Sequence, residues 1–304
     1  MKAARVHGYG DTDTIKYDEV PKPTAGAGEA LVKVEASSLN PVESYVRQGF
    51  LAQMIPLTFP FTMGLDLAGT VEAVGAGVTG FKAGDRVIGK LPINGNGSNQ
   101  EYVVATPGQL AKLADSVSFT AGATLPLAGL TGRQAVDLVA PKKGDRVLVT
   151  GALGAVGRAA IQYLKEIGAV PVAVVRASRK AEAASLGVEV IAADAATATA
   201  KASFAGAVDT VGGDVVLHAA TLVRDGGKVI TAVQVPEGAN ADKRVDLQNF
   251  WAKDDTAMLK QIADAAGKGL LNIPIAKTLK LSQVGEGHKL LAAGQVGGKI
   301  VFVP

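Results

Sequence analysis

One stretch, residues 146–167, does most to limit how this chain can fold. It runs from an apolar segment, Arg146-Val-Leu-Val-Thr150, through glycines at 151, 154 and 157, into Arg158-Ala-Ala-Ile-Gln-Tyr-Leu-Lys-Glu-Ile167. The first segment reads as a buried strand, and the last, with apolar residues at helical spacing, as an amphipathic helix. A strand feeding a helix through a tight glycine turn starts a βα crossover, which belongs to a parallel sheet. The first N–H groups of such a helix lack intrahelical acceptors, and the positive end of its dipole lies beside them. An anion fits there, usually the pyrophosphate of a dinucleotide. Glycine is needed where a Cβ would block the turn, the phosphate or the packing of helix on strand. The spacing is G-x-x-G-x-x-G and not G-x-G-x-x-G, because position 152 is Ala.

Around this unit, strand and helix patterns alternate from about 120 to 265. Strands are predicted at 146–150, 170–175, 189–192, 206–209 and 227–233, with helices at 120–139, 154–167, 178–186 and 214–223. The alternation argues for a doubly wound parallel sheet in an α/β fold. Residues 1–115 differ: short apolar or alternating runs such as 30–35, 67–74, 86–89 and 101–105 are separated by Gly, Pro and Asn clusters, which reads as β-rich structure. A helix near 255–267 ends at Gly267-Lys-Gly269, and the chain returns to β character at 297–303. That return predicts a discontinuous first domain, 1–118 with 268–304, and a nucleotide-binding domain over 119–267. A length of 304 residues suits two domains.

The end of the second predicted strand selects the nucleotide. A carboxylate there accepts from the ribose 2′-OH of NAD, whereas cations accommodate the 2′-phosphate of NADP. This chain reads Val172-Ala-Val-Val-Arg176-Ala-Ser178-Arg179-Lys180, with three cations and no acid. Arg grips a phosphate through a two-pronged fork, and Lys adds a point charge. NADPH is therefore the expected cofactor. The alternative is that these residues are the solvated start of helix 178–186.

Composition excludes several classes. Thirty-one Lys and Arg against 28 Asp and Glu leave a net charge of +3, with no run of like charges, so neither nucleic acid nor a membrane surface is an expected partner. Cysteine is absent, which removes disulfides, thiol nucleophiles and cysteine-ligated zinc. His7, His218 and His288 lie far apart without ligand spacing, so no metal is expected. No signal-like or membrane-length apolar stretch occurs, so the expectation is a soluble cytoplasmic protein.

The turn alone resembles that of the extended and atypical short-chain dehydrogenases. There, however, it opens the chain, and the Tyr-x-x-x-Lys pair of that family is missing because Ile167 lies four residues after Tyr163. A longer resemblance covers nearly the whole chain. Leu39-Asn40-Pro41-Val-Glu43-Ser-Tyr45-Val-Arg47-Gln-Gly49, Gly64-Leu-Asp66-Leu-Ala-Gly69, Phe81-Lys-Ala-Gly84-Asp85-Arg86-Val87, Leu125-Pro-Leu-Ala-Gly-Leu-Thr131, the glycine turn and Gly298-Lys-Ile-Val follow in order. This set resembles the zinc-free quinone oxidoreductase and enone reductase branch of the medium-chain dehydrogenase/reductase superfamily. The resemblance implies a GroES-like catalytic domain built from both chain ends, together with a Rossmann domain. Zinc-dependent members place a Cys just before the position of Asn40 and a Gly-His-Glu where this chain has Gly64-Leu65-Asp66. No catalytic zinc can be built that way here.

Without a metal to polarise a ketone, the easier hydride acceptor is an activated C=C bond or a quinone, whose oxygen takes up the charge. The resemblance then implies an NADPH-dependent enzyme with a small quinone or enone substrate, either a homodimer or a monomer. Tyr45 is the candidate proton donor, its alternative being a packing aromatic with a wet hydroxyl. Asn40, the second catalytic candidate, is expected to fix the nicotinamide or adjacent backbone, its alternative being simple turn chemistry before Pro41, and Arg47 to be a surface cation, its alternative being a cleft charge. Thr131 matches a position near the nicotinamide, and Ala232 and Val233, after the strand at 227–233, match backbone contacts to it. Gly154, Ala155 and Val156 would hold the pyrophosphate, and Arg176, Ser178, Arg179 and Lys180 the 2′-phosphate. Phe250 and Trp251 are candidate pocket residues or core anchors, and Phe50 and Phe61 could also line the cleft. The competing function is an NADP(H)-binding protein with little turnover, a redox sensor or structural dimer.

Overall fold

The computed structural model describes residues 1–193, 202–240, 243–294 and 296–304. They divide into two compact units, Met1–Leu127 with Asp254–Pro304 and Ala128–Lys253.

The first unit begins with β1 (Lys2–Val6), β2 (Ile15–Glu19), β3 (Ala30–Ser38), α1 (Pro41–Gln48), β4 (Phe61–Thr62), β5 (Asp66–Val74), β6 (Arg86–Lys90), β7 (Tyr102–Ala105), β8 (Leu110–Lys112) and α2 (Phe119–Ala123). Its main sheet is antiparallel around the β3–β5 pair, which registers Val34 with Gly69 and Ser38 with Asp66. Period-two side chains from these strands, among them Val32, Val34, Leu67, Val87 and Val103, fill the core. The smaller sheet sets β1 between β2 and β4.

The chain continues through α3 (Pro126–Val139) into β9 (Arg146–Thr150), α4 (Ala155–Glu166), β10 (Val170–Val175), α5 (Lys180–Ala183), β11 (Glu189–Ala192), β12 (Phe204–Asp209), α6 (Gly213–Leu222), β13 (Val223–Thr231) and β14 (Asp246–Asn249). These strands form one parallel sheet in the order β11-β10-β9-β12-β13-β14. Numbered within the unit, that is 3-2-1-4-5-6, the doubly wound order of dinucleotide-binding folds. Val147 and Val149 face the cluster containing Val136, Ala160 and Leu164. Leu148 faces the opposite cluster, with Val216 and Val229. Burial on both faces is why β9 reads as an unbroken apolar run.

Finally α7 (Thr256–Gly267), β15 (Ile275–Lys280), α8 (Val284–Ala292) and β16 (Lys299–Val303) complete the first unit. β16 lies between β15 and β3, opposing Val301 to Ser38. The expected discontinuity is thus a strand pairing between the two ends of the chain.

Several expected boundaries differ. The helix over 120–139 is two helices, because Pro126 lacks the N–H that would continue the first. Residues 177–186 form a single α-turn, α5, between 3₁₀ turns. The strand expected at 227–233 begins at Val223 and ends at Thr231. The units also divide at 127/128 and 253/254, not at 118 and 267. α7 groups with the first unit because it packs beside β8, where the Thr256 hydroxyl donates to the Gly108 carbonyl.

Candidate functional site

In the second unit β9 ends at Thr150, and Gly151 takes the left-handed conformation with φ of +59°. The chain folds back at once, the Gly154 N–H donating to the Gly151 carbonyl at 2.8 Å. Helix α4 starts at Ala155, and no side chain caps it. Its first N–H groups, from Ala155 to Gly157, therefore have no intrahelical acceptor and lie at the positive end of the dipole. A Cβ on Gly157 would stand 2.8 Å from the Ala152 Cα, so that position accepts only glycine. The turn lies at the carboxyl end of β9, beside the point where sheet order reverses between β9 and β12. Open α/β sheets bind ligands at such points. A dinucleotide pyrophosphate fits this uncapped cradle, at which Gly154, Ala155 and Val156 lie.

One buried carboxylate holds the ends of three neighbouring strands. Asp209, the last residue of β12, accepts from the Thr150 hydroxyl on β9 and from the Thr231 hydroxyl on β13, the latter at 2.6 Å. It also accepts from the N–H groups of Gly212 at 2.9 Å and Val211 at 3.3 Å. Thr231 in turn accepts from the Val233 N–H, and Ala232 N–H donates to the Asp209 carbonyl. Ala232 and Val233 thus sit just beyond the strand, in the same network as the glycine turn. The sequence placed Asp209 in a family segment without this role. Threonines ending two apolar strands, at 150 and 231, were the available signal.

At the end of β10, Arg176, Ser178 and Lys180 are exposed. Arg179 is half-buried and forks onto Glu182 through Nε and a terminal nitrogen at 2.8 and 2.7 Å. Arg158, which the sequence reading left unassigned, folds back on the glycine turn and donates from Nε to the Leu153 carbonyl at 3.2 Å. Thr131 lies half-buried on α3. Phe250 packs against the core beside α4, whereas Trp251 is 51% exposed.

In the first unit, α1 carries Tyr45, 53% exposed, with its ring 6.3 Å from that of Phe50, itself 73% exposed. Phe61 is half-buried in β4, opposite Val6. Asn40 is 4% exposed, and both its amide hydrogens are used internally, to Glu43 Oε1 at 3.0 Å and Asp66 Oδ2 at 2.9 Å. Its carbonyl oxygen accepts from Lys299 Nζ at 2.5 Å. These bonds tie α1 to β5 and β16. Lys299 also donates to the Leu39 carbonyl and to Asp66 Oδ2, both at 3.1 Å. Glu43, fully buried beside them, has its carboxyl pushed up to about 7, first by burial and then by Asp66, against the opposing pull of Asn40 and Lys299. Arg47 is not the surface cation expected: it is 2% exposed and donates to the Gly10 carbonyl. Leu65, where zinc-dependent relatives carry His, is buried. Among the described residues no three His, Cys, Asp or Glu side chains gather as a metal site. None of the described helices is long and apolar enough to cross a membrane.

Two family models match in succession, the alcohol dehydrogenase GroES-like domain over residues 26–115 and the zinc-binding dehydrogenase domain over residues 186–302. Together these domains place the chain in the medium-chain dehydrogenase/reductase superfamily, and it is similar to that superfamily's quinone oxidoreductases. Its first unit is the family's GroES-like domain and its parallel sheet the Rossmann domain. A solved quinone oxidoreductase from Coxiella burnetii superposes with a TM-score of 0.90 at 28% identity, covering 100% of this chain and 99% of that one. Among curated relatives, a chloroplastic quinone-oxidoreductase homolog from Spinacia oleracea is 38% identical over 54% of this chain and 52% of its own. Quinone oxidoreductase from Homo sapiens is 36% identical over 55% and 50%. The matched region is thus about half the length of these curated relatives.

Proposed function

We propose that this chain is an NADPH-dependent, zinc-independent oxidoreductase that delivers a hydride to a quinone or to the C=C bond of an α,β-unsaturated carbonyl. The observation that carries the reading is the uncapped start of α4 beside a β10 end that bears Arg176, Arg179 and Lys180 and no strand-end carboxylate. The quinone oxidoreductases among its relatives support the choice of acceptor. NADPH, when bound, supplies the hydride. The protein's own part is to hold and orient. The N–H groups of Ala155 and Val156 take the pyrophosphate at the helix start. Arg176, Ser178, Arg179 and Lys180 take the 2′-phosphate, and the backbone at Ala232 and Val233, fixed through Asp209 and Thr231, borders the nicotinamide. Thr131 is assigned to the same end of the cofactor. Tyr45, with its exposed hydroxyl on α1, supplies the proton to the reduced acceptor's oxygen.

The test is cofactor oxidation with a p-benzoquinone and a small enone, using NADPH and NADH in parallel. The expected result is acceptor-dependent consumption that prefers NADPH. Tight NADPH binding without consumption by any acceptor would replace the reading with a binding protein of little turnover.

A further inference from the structure

Two guanidinium groups and one carboxylate gather at the end of β10. Arg179 comes from the turn after the strand, and Arg158 from the first turn of α4, one residue past Gly157. Glu182, on α5, faces Arg179 with both oxygens engaged, Nε to Oε2 at 2.8 Å and a terminal nitrogen to Oε1 at 2.7 Å. This is the parallel two-bond geometry with which a guanidinium also grips a phosphate. Arg158 responds to the same two groups: burial lowers its pKa most, Glu182 favours its charge, and Arg179 opposes it. Among the described residues the Arg158 side chain donates only from Nε, to Leu153 in the glycine turn, which leaves its terminal N–H groups to face an anion. Among the described residues the cluster thus has a surplus cation and a single internal anion.

We infer that Glu182 is a built-in competitor for the 2′-phosphate subsite, occupying the fork of Arg179 until a phosphate displaces it, and that Arg158 is the subsite's second arginine. The inference rests on the reading of this chain as an NADP(H) protein. Its chemistry follows from charge and geometry. Glu182 is exposed and three residues from its partner, so its hold on Arg179 is weak. A phosphate monoester carries up to two charges at neutral pH, spread over three oxygens, and can engage both arginines at once. A 2′-hydroxyl offers no such charge, so the pair stays closed with NADH. Glu182 therefore lowers affinity for the phosphorylated cofactor alone, while Arg158 raises it.

Direct binding, followed by quenching of Trp251 fluorescence or by calorimetry, tests this without turnover. Glu182→Gln keeps the side chain's shape and removes its charge. It is expected to tighten NADPH about threefold, the scale of an exposed ion pair, and to leave NADH unchanged. Arg158→Gln is expected to weaken NADPH about tenfold, again sparing NADH, and 2′-AMP should follow NADPH in both variants while 5′-AMP should not. Equal changes for both cofactors, or no change for NADPH in Glu182→Gln, would overturn the competitor role. Wild-type protein binding NADH more tightly than NADPH would instead sink the cofactor reading beneath it.

Discussion

Glu43→Gln is the substitution whose effect on stability can be worked furthest from the structure. The Glu43 side chain is buried, with Oε1 accepting from the Asn40 N–H and amide and Oε2 among the buried atoms without a hydrogen-bond partner. Its carboxyl is pushed from 4.5 up to about 7, chiefly because burial penalises the ionised form. A raised folded-state value means that the folded chain holds the proton more tightly than the unfolded chain. The contribution is complete below pH 4.5 and is lost as pH rises through about 7. At more than about 1 kcal/mol per pH unit, the loss totals about 3 kcal/mol, most of which falls between pH 5 and pH 8. Gln resembles the protonated acid in shape and charge: its oxygen can still accept from Asn40, and it never ionises. Urea midpoints at pH 5 and pH 8 read the difference, because other titrating groups cancel between the two proteins. The variant should gain on wild type by roughly 2–3 kcal/mol across that interval. Parallel pH profiles would refute the assignment of a buried, proton-holding carboxyl to Glu43.

His288 predicts the opposite slope on the acid side. Burial first, and then the Arg47 charge, lower it to about 3, so the folded chain keeps it neutral and stability falls as pH drops below 6.5. At pH 5 that amounts to about 2 kcal/mol, and His288→Gln, which can still bond the Ser44 hydroxyl, should flatten the acid limb of the urea profile. Asp209→Asn should weaken NADPH and NADH alike, by about tenfold, because it loosens the turns after β9, β12 and β13 together and leaves the 2′-phosphate contacts intact. Selective loss of one cofactor in a binding titration would contradict that. Tyr45→Phe should lower kcat by about 100-fold and leave the NADPH dissociation constant unchanged; steady-state rates equal to wild type would remove Tyr45 from proton transfer.

Much of this was readable in the sequence wherever a local pattern carries the information. The six-residue run Val170–Val175 could be placed because a central parallel strand is apolar on both faces. β14, Asp246-Leu-Gln-Asn, could not, since only Leu247 is buried and an edge strand needs no apolar run. Helix α7 was visible as a helix, but its partner β8 lies about 150 residues earlier, and no local pattern names the unit it packs on. The glycine turn was legible because it is a backbone feature, spelled out by residues that lack Cβ. Asp209 was half legible: its place after an apolar strand was plain, and its two threonine partners were not.

The cluster beneath α1 was hidden most completely, and its physics explains the departures from expectation in the first unit. Lys299 reaches Asn40 across 259 residues of sequence, so spacing alone could not pair them. Leu65, at the position that resembles the His of the zinc-dependent relatives, is buried, as is Leu39 beside Asn40. Among the described residues the only cation bonded to Asp66 is the Lys299 ammonium, which also donates to a main-chain carbonyl and to the Asn40 amide oxygen. A buried ammonium is tolerated only when such acceptors surround it. Asp66 gathers donors from Ser38, Asn40, Lys299 and the Leu127 N–H, whereas one Glu43 oxygen finds none. One ammonium balances one carboxylate, and the second acid in the same buried cluster lowers its cost by keeping a proton. Asn40 is drawn inward by that balance, whereas Tyr45, on the same helix, stays 53% exposed.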